Sequence, residues 1–196
     1  MIGTPLKIGI AGLGTVGVGV VKLLTQQAKL VSQRSGRDIV ITSVSALDQS
    51  KDRNINLSGI NWCHDPLELA ASSNVDVVVE LIGGHNGIAK ELVETAITNC
   101  KHVVTANKAL IAHHGTELAR SAEQAKVAIA FEAAIAGGVP IVKALREGLV
   151  GNKIIQIFGI LNGTCNYILS EMRQSGRDFG SVLKEAQNQQ VDTNKE

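Results

Sequence analysis

The chain has 196 residues, 44% of them hydrophobic and 19% charged, with a formal net charge of +1. This composition excludes a disordered chain and gives no electrostatic pull toward nucleic acid or an anionic membrane, so neither is expected as a partner. Aromatics are scarce at 3%, so the core must be built from Val, Ile, Leu and Ala, as in sheet strands covered by helices. Cys63, Cys100 and Cys165 are widely spaced and without metal-ligand spacing, which reads as reduced structural thiols. No run approaches 18 apolar residues and the N-terminus lacks a leader pattern, so a cytoplasmic location is expected.

Residues 6–24 read LKIGIAGLGTVGVGVVKLL. An apolar strand runs directly into Gly12-Leu13-Gly14-Thr15-Val16-Gly17 and then a helix. In this pattern the first glycine makes the tight turn, the second leaves room for a pyrophosphate, and the third lets helix and strand pack closely. The helix start adds free N–H groups and a positive dipole end. The competing reading is a tight turn without a ligand. The helix is predicted through about Leu30, and residues 31–38 read as a polar loop.

IVITSVSAL, 39–47, is rich in β-branched residues and predicts a second strand ending at Asp48. An acidic residue there bonds a ribose 2′-hydroxyl in NAD sites. Lys51 and Arg53 follow and suit a 2′-phosphate instead. The two cues oppose each other, and an ordinary solvated turn is the third reading.

Asp65 and Pro66 open a helix over 64–75, and VVVELIGG, 77–84, is the next strand, carrying Glu80, Ile82, Gly83 and Gly84. A helix over 87–99, a strand over 102–107, a helix through 116–124 and a strand over 126–134 follow. Alternation of this kind predicts an α/β fold with a doubly wound, mostly parallel, Rossmann-like sheet. Ligands in such sheets lie at the carboxyl ends of strands. Ala106, Asn107 and Lys108 fall at such an end. A lysine at a helix start gains nothing from the helix dipole, which favours a ligand-contacting role for Lys108 over a solvated one. His85, His113 and His114 read as turn or surface residues.

Residues 132–147 form a Gly-rich bend leading into a helix with Pro140 near its start, and NKIIQIFGI, 152–160, predicts one more strand. Asn162-Gly163-Thr164 is a turn before helices over 165–174 and 178–188. The expected division is a nucleotide-binding domain, 1–131, and the beginning of a second α+β domain, 132–196. A lone strand cannot cover its own edges, so it needs further chain or a second copy, and a two-fold homodimer is expected.

GLGTVGVGV at 12–20, ELIGG at 80–84, VVTANKALIA at 103–112, FEAAIAGGVPIV at 131–142 and GILNGTCNYIL at 159–169 together resemble homoserine dehydrogenase, in that family's order. The resemblance implies NAD(P)-dependent interconversion of L-homoserine and L-aspartate 4-semialdehyde, in threonine and methionine biosynthesis. It implies that the Gly12–Gly17 backbone (with Leu13, Thr15 and Val16) holds the pyrophosphate and that Ile82, Gly83 and Ala106 lie along the cofactor. Asp48, Lys51 and Arg53 lie toward the ribose, with a lean to NADP over NAD. Lys108 corresponds to the lysine reaching cofactor and substrate, and Asn162, Gly163 and Thr164 to the segment lining the catalytic cleft. Glu132, with carbonyls of Ile135, Gly137 and Val139, corresponds to a monovalent-cation site for Na+ or K+. After residue 188 the family's pattern is lost, and neither Asp192 nor Lys195 sits in a matching context. An amino-terminal part of the enzyme with intact cofactor binding and low turnover is therefore expected. A non-catalytic dinucleotide-binding module, or a dehydrogenase for another small metabolite, is the alternative.

Overall fold

β1 (Leu6–Ala11) is the strand around which the sheet is built, and it is buried from Ile8 to Ala11. It pairs in parallel with β2 (Ile39–Ser45) on one side and β4 (Val77–Glu80) on the other. β3 (Asn61–Cys63) extends the sheet beyond β2, while β5 (His102–Thr105) and β6 (Ile129–Ala130) extend it beyond β4. The order is β3-β2-β1-β4-β5-β6, parallel at every pair. This is the doubly wound arrangement expected from the alternating pattern, and its strand order reverses between β1 and β4. The structure is a computed structural model and describes residues 3–137, 139–159 and 163–193.

Both faces of the sheet are covered, which explains why β4 reads as unbroken Val-Val-Val. Val78 packs with Leu69, Leu92, Val93, Leu110 and Leu118, from helices α3 (Leu67–Ala71), α4 (Ile88–Thr98) and α5 (Lys108–Ala125). Val77 and Val79 point the other way, joining Ile8, Ile10, Val44 and Val21 of helix α1 (Thr15–Gln26). Each of these side chains is worth roughly 1.5–3 kcal/mol when fully buried.

Several elements differ from the sequence reading. Val31–Ser35 is helical, as part of α2 (Ala28–Ser35), which starts after a break at Gln27. Ser35 Oγ donates to the Val31 carbonyl at 2.8 Å, so a polar segment satisfies its own helix, and Gly36 stops it in a left-handed cap. β3 is a strand that the sequence reading left out. β6 is shorter than predicted, because Lys126 turns left-handed before it and α6 (Glu132–Ala136) begins after Phe131. α7 (Ile141–Lys143) runs into a π-turn over Ala144–Gly148.

The chain divides into two compact units, Met1–Leu149 and Val150–Glu196. In the second unit the predicted strand over 152–160 does not form among its described residues, 152–159. The other described elements of this unit are helices α8 (Gly163–Ser175) and α9 (Phe179–Thr193), which offer no strand ladder. Ile155 and Phe158 are accordingly exposed. α8 and α9 close on each other through Ile168, Val182 and Ala186. Among the described residues no helix is long and apolar enough to cross a membrane.

An ionic cluster ties the two helices together: Arg177 donates to Glu185 at 2.5 Å and to Glu171 at 3.2 Å, and the Tyr167 hydroxyl donates to Glu185 at 2.8 Å. The hydrogen bond from Arg177, then that from Tyr167, holds the Glu185 carboxyl below its ordinary value of 4.5. A depressed carboxyl contributes stability above its unfolded value and loses it as pH falls through the folded one. Amide protection in α9 is therefore expected to fall on acidification below about pH 4.5, more steeply in the parent than in Arg177→Gln. Hydrogen exchange corrected for intrinsic rates checks this, and equal pH profiles would refute it.

Candidate functional site

The loops leaving β1, β2, β3 and β4 diverge at the carboxyl edge of the sheet and enclose a cleft of about 620 Å³. A crevice at the point where strand order reverses is where such sheets bind ligands. All of the residues lining it belong to the first unit.

Its floor is the glycine turn. Gly12 has φ +101°, a conformation that L side chains rarely adopt, and a Cβ there would lie 2.4 Å from the Leu81 carbonyl oxygen. A Cβ on Gly17 would lie 1.9 Å from the Gly12 carbonyl oxygen. Gly14 is different: a Cβ on it meets nothing within 4 Å, so the space above it is open. The three glycines thus divide as the motif requires, two for close backbone packing and one for room. α1 starts at Thr15 with no side-chain cap and no acidic residue in its first turn, and Thr15 and Val16 are exposed. Its first-turn amides and positive dipole end are therefore left open to an anion.

Asp48, Lys51 and Arg53 stand together on one wall of the cleft. The Asp48 carboxylate is turned onto its own loop, accepting the Ser50 hydroxyl at 2.6 Å and the Ser50 N–H at 2.9 Å. Those two bonds, and more weakly the Lys51 N–H and the Arg53 charge, lower its pKa. Arg53 is fixed by three carbonyls, donating to Leu13 at 3.1 Å, Lys51 at 2.8 Å and Asp48 at 2.5 Å, and its guanidinium lies 5.6 Å from the Trp62 ring centroid. The acid is thus occupied locally while a cation is held rigidly against the glycine turn.

Ile82 lines the cleft, and Gly83 follows it with φ +89°. Ala106 and Lys108 do not line this cleft; they emerge beside it, because Glu80 and Thr105 are register partners in β4 and β5. Asn107 caps α5, its Oδ1 accepting the Leu110 N–H at 3.0 Å, which makes the exposed Lys108 the first helical residue. Sequence reasoning missed Leu47, His64 and Pro66 on the cleft wall. Leu47 reads in sequence as the last apolar residue of the strand over 39–47, but β2 ends at Ser45 and leaves it wholly exposed. The other two follow β3, whose three residues were too few to show a period.

The Glu132 carboxylate accepts the Val142 and Lys143 N–H groups, each at 2.9 Å, and so caps α7. The Val139 carbonyl accepts the Ile141 N–H at 2.8 Å, while Ile135 is exposed and Gly137 has φ +61°. Gly163 and Thr164 begin α8 in the second unit; Asn162 lies outside the described residues. His85 stacks on His113 with ring centroids 4.3 Å apart, and His114 Nε2 is 3.2 Å from Asn86 Oδ1.

Comparison with known proteins points one way. Residues 12–132 match the family model described as homoserine dehydrogenase, NAD binding domain, and residues 140–193 match that of homoserine dehydrogenase. The homoserine dehydrogenase of Neisseria gonorrhoeae is 54% identical over 183 residues, and that of Pseudomonas aeruginosa 50%. Each alignment covers 93% of this chain and 42% of the relative, so the chain spans less than half the length of these relatives. A crystal structure of a homoserine dehydrogenase from Thiobacillus denitrificans superposes with a TM-score of 0.80 at 46% identity, covering 94% of this chain and 42% of that one.

The contrast among the glycines can be tested directly. Gly14→Val is expected to abolish dinucleotide binding while costing no more than the roughly 0.5–2 kcal/mol of a poorer helix N-cap, since a Cβ there meets no protein atom within 4 Å. Gly17→Ala must displace backbone and is expected to cost about 1–3 kcal/mol or more. Thermal melts and titration with reduced cofactor separate the two effects. A Gly14→Val chain that binds like the parent would show that the turn is not a phosphate cradle.

Proposed function

This chain belongs to the homoserine dehydrogenase family, and from that premise we propose that it forms the cofactor-binding part of an enzyme interconverting L-homoserine and L-aspartate 4-semialdehyde. The observation that carries this reading is the cleft at the strand-order reversal, where Gly12 and Gly17 leave no room and Gly14 leaves it open. A pyrophosphate placed over Gly14, with Leu13, Thr15 and Val16 on either side, meets the amides of the α1 terminus without side-chain competition. In this reading residues 1–131 make the nucleotide-binding domain and 132–196 begin the catalytic and dimerisation domain of a cytoplasmic homodimer.

A bound nicotinamide cofactor supplies the hydride chemistry, and the protein's work is orientation and charge. Ile82, Gly83 and Ala106 stand along the sheet edge where the nicotinamide half would extend. Lys108, exposed at the start of α5, would hold the substrate oxygen and manage its proton there. The family resemblance implies that Asn162, Gly163 and Thr164 belong to the substrate region. Glu132 with the carbonyls of Ile135, Gly137 and Val139 is an all-oxygen donor set suited to a hard cation, Na+ or K+. Each Glu132 oxygen that accepts an N–H keeps a second lone pair for such an ion.

The preferred cofactor is proposed to be NADP. Asp48 would repel a 2′-phosphate, but its carboxylate is engaged by Ser50 and its charge is opposed by Arg53. Arg53 is anchored on the cleft wall with N–H groups to spare, and Lys51 adds a second cation.

Following nicotinamide fluorescence, the chain is expected to bind NADPH saturably and at least tenfold more tightly than NADH in low salt. Arg53→Ala is expected to weaken NADPH about tenfold, about 1.4 kcal/mol, and to leave NADH nearly unchanged. Weakening of both would instead mark Arg53 as a loop anchor alone. A flat titration up to millimolar NADPH would refute the cofactor site, and tighter NADH binding would refute the preference.

A further inference from the structure

Among the described residues Glu80 is the one acidic side chain that is fully buried. Burying a carboxylate is costly unless its oxygens are hydrogen-bonded, and here they are. Oε1 accepts the Ile82 N–H at 2.8 Å and the Gly83 N–H at 3.1 Å. Oε2 accepts the Thr105 hydroxyl at 2.5 Å. Thr105 Oγ1 in turn accepts the Asn107 N–H at 3.0 Å. Asn107 closes the circuit, with Nδ2 donating to the Gly84 carbonyl at 2.6 Å and Oδ1 capping α5 just before its first turn.

One carboxylate therefore ties together the two loops that flank the carboxyl ends of β4 and β5. The first loop carries Ile82 on the cleft wall and then Gly83 and Gly84, both at positive φ, a conformation with no ladder of its own to hold it. The second delivers Lys108. A pair placed only for stability would do as well or better as packed apolar side chains. This one sits at the ligand-binding edge, and its acceptors are aimed at loop amides.

We propose that Glu80, acting through Thr105 and Asn107, is a positioning residue that presets the 81–84 backbone and the start of α5 to receive the nicotinamide half of the cofactor. The proposal rests on the reading of the cleft as an NAD(P) site. Preorganisation of this kind raises affinity by removing the ordering cost from binding. Neutral shape mimics should then weaken cofactor binding without unfolding the domain.

The test compares NADPH affinity across variants of the whole chain. Thr105→Val removes the hydroxyl and is expected to weaken NADPH at least tenfold, while Thr105→Ser restores it to within about twofold of the parent. Thr42→Val is the control: it removes a hydroxyl that donates to the Asn74 carbonyl at 2.6 Å and does not line the cleft. It is expected to lower the melting temperature but bind NADPH like the parent. Should Thr105→Val fail to fold, Glu80→Gln decides, because it keeps the shape while turning one acceptor into a donor facing Thr105; about tenfold weakening is expected. Parental affinity in either folded variant, or no rescue by serine, overturns the proposal and leaves the cleft reading standing. A parent chain that binds no NADPH overturns the cleft reading, and the proposal with it.

Discussion

There is no space for a methyl group between the glycine turn and the helix that follows it. A Cβ on Gly17 would lie 1.9 Å from the Gly12 carbonyl oxygen, and one on Gly12 would lie 2.4 Å from that of Leu81. The first approach packs α1 onto the turn, and the second brings the exits of β1 and β4 into direct backbone contact. Because β1 is central, both neighbours inherit its placement: β2 through a ladder from Leu6 to Ala11, and β4 through Ile8 to Ala11. A side chain at Gly12 would push the exits of β1 and β4 apart, and one at Gly17 would push α1 off the turn that carries Gly14. The cleft exists because backbone, and not side chains, fills the space beneath it.

The two edges of the sheet are finished in opposite ways. At the amino edge, Asp76 accepts the Lys7 N–H at 2.9 Å, and the buried Lys101 donates to the Ser72 and Val75 carbonyls at 2.6 Å each. These groups are satisfied within the fold. At the carboxyl edge, α1 begins without a side-chain cap and Lys108 is exposed. Glu80 and Asn107 are spent on arranging loops rather than on sealing the edge. Burial of apolar surface on both faces holds the sheet rigid, and the open edge inherits that rigidity as a precise set of donors. Affinity for a dinucleotide then comes from groups that are already placed.

Much of this was legible in the residues. The strand-turn-helix over 6–24 and the alternation of strands and helices to residue 130 specify the doubly wound sheet, because two-faced burial requires continuous apolar strands and the φ of +101° at Gly12 suits glycine. The end of β5 was enough to put Lys108 at the carboxyl edge of the sheet. What was hidden depends on distance in three dimensions. Asp48 reads in sequence as a ribose partner or a solvated turn; the bonds from Ser50, two residues on, to its Oδ1 do not show there. Glu80 showed only as a charge inside an apolar run; Thr105, its partner, lies 25 residues away and meets it through strand register. Val31–Ser35 misled because serines that bond their own helix carbonyls read, in sequence, as loop formers. Residues 152–159 misled for the opposite reason, since β-branched composition does not by itself provide a neighbouring strand.

A cofactor edge set in advance has a direct signature in the cofactor-free chain. The Ile82 and Gly83 amides lie in an exposed loop but donate to a buried carboxylate. Amide hydrogen exchange at these two positions, measured before any cofactor is added, separates a preset edge from one formed on binding. Strong protection, close to that of the β4 amides, is the expected result. Exchange as fast as in an open loop, with protection appearing only once NADPH is bound, would contradict it.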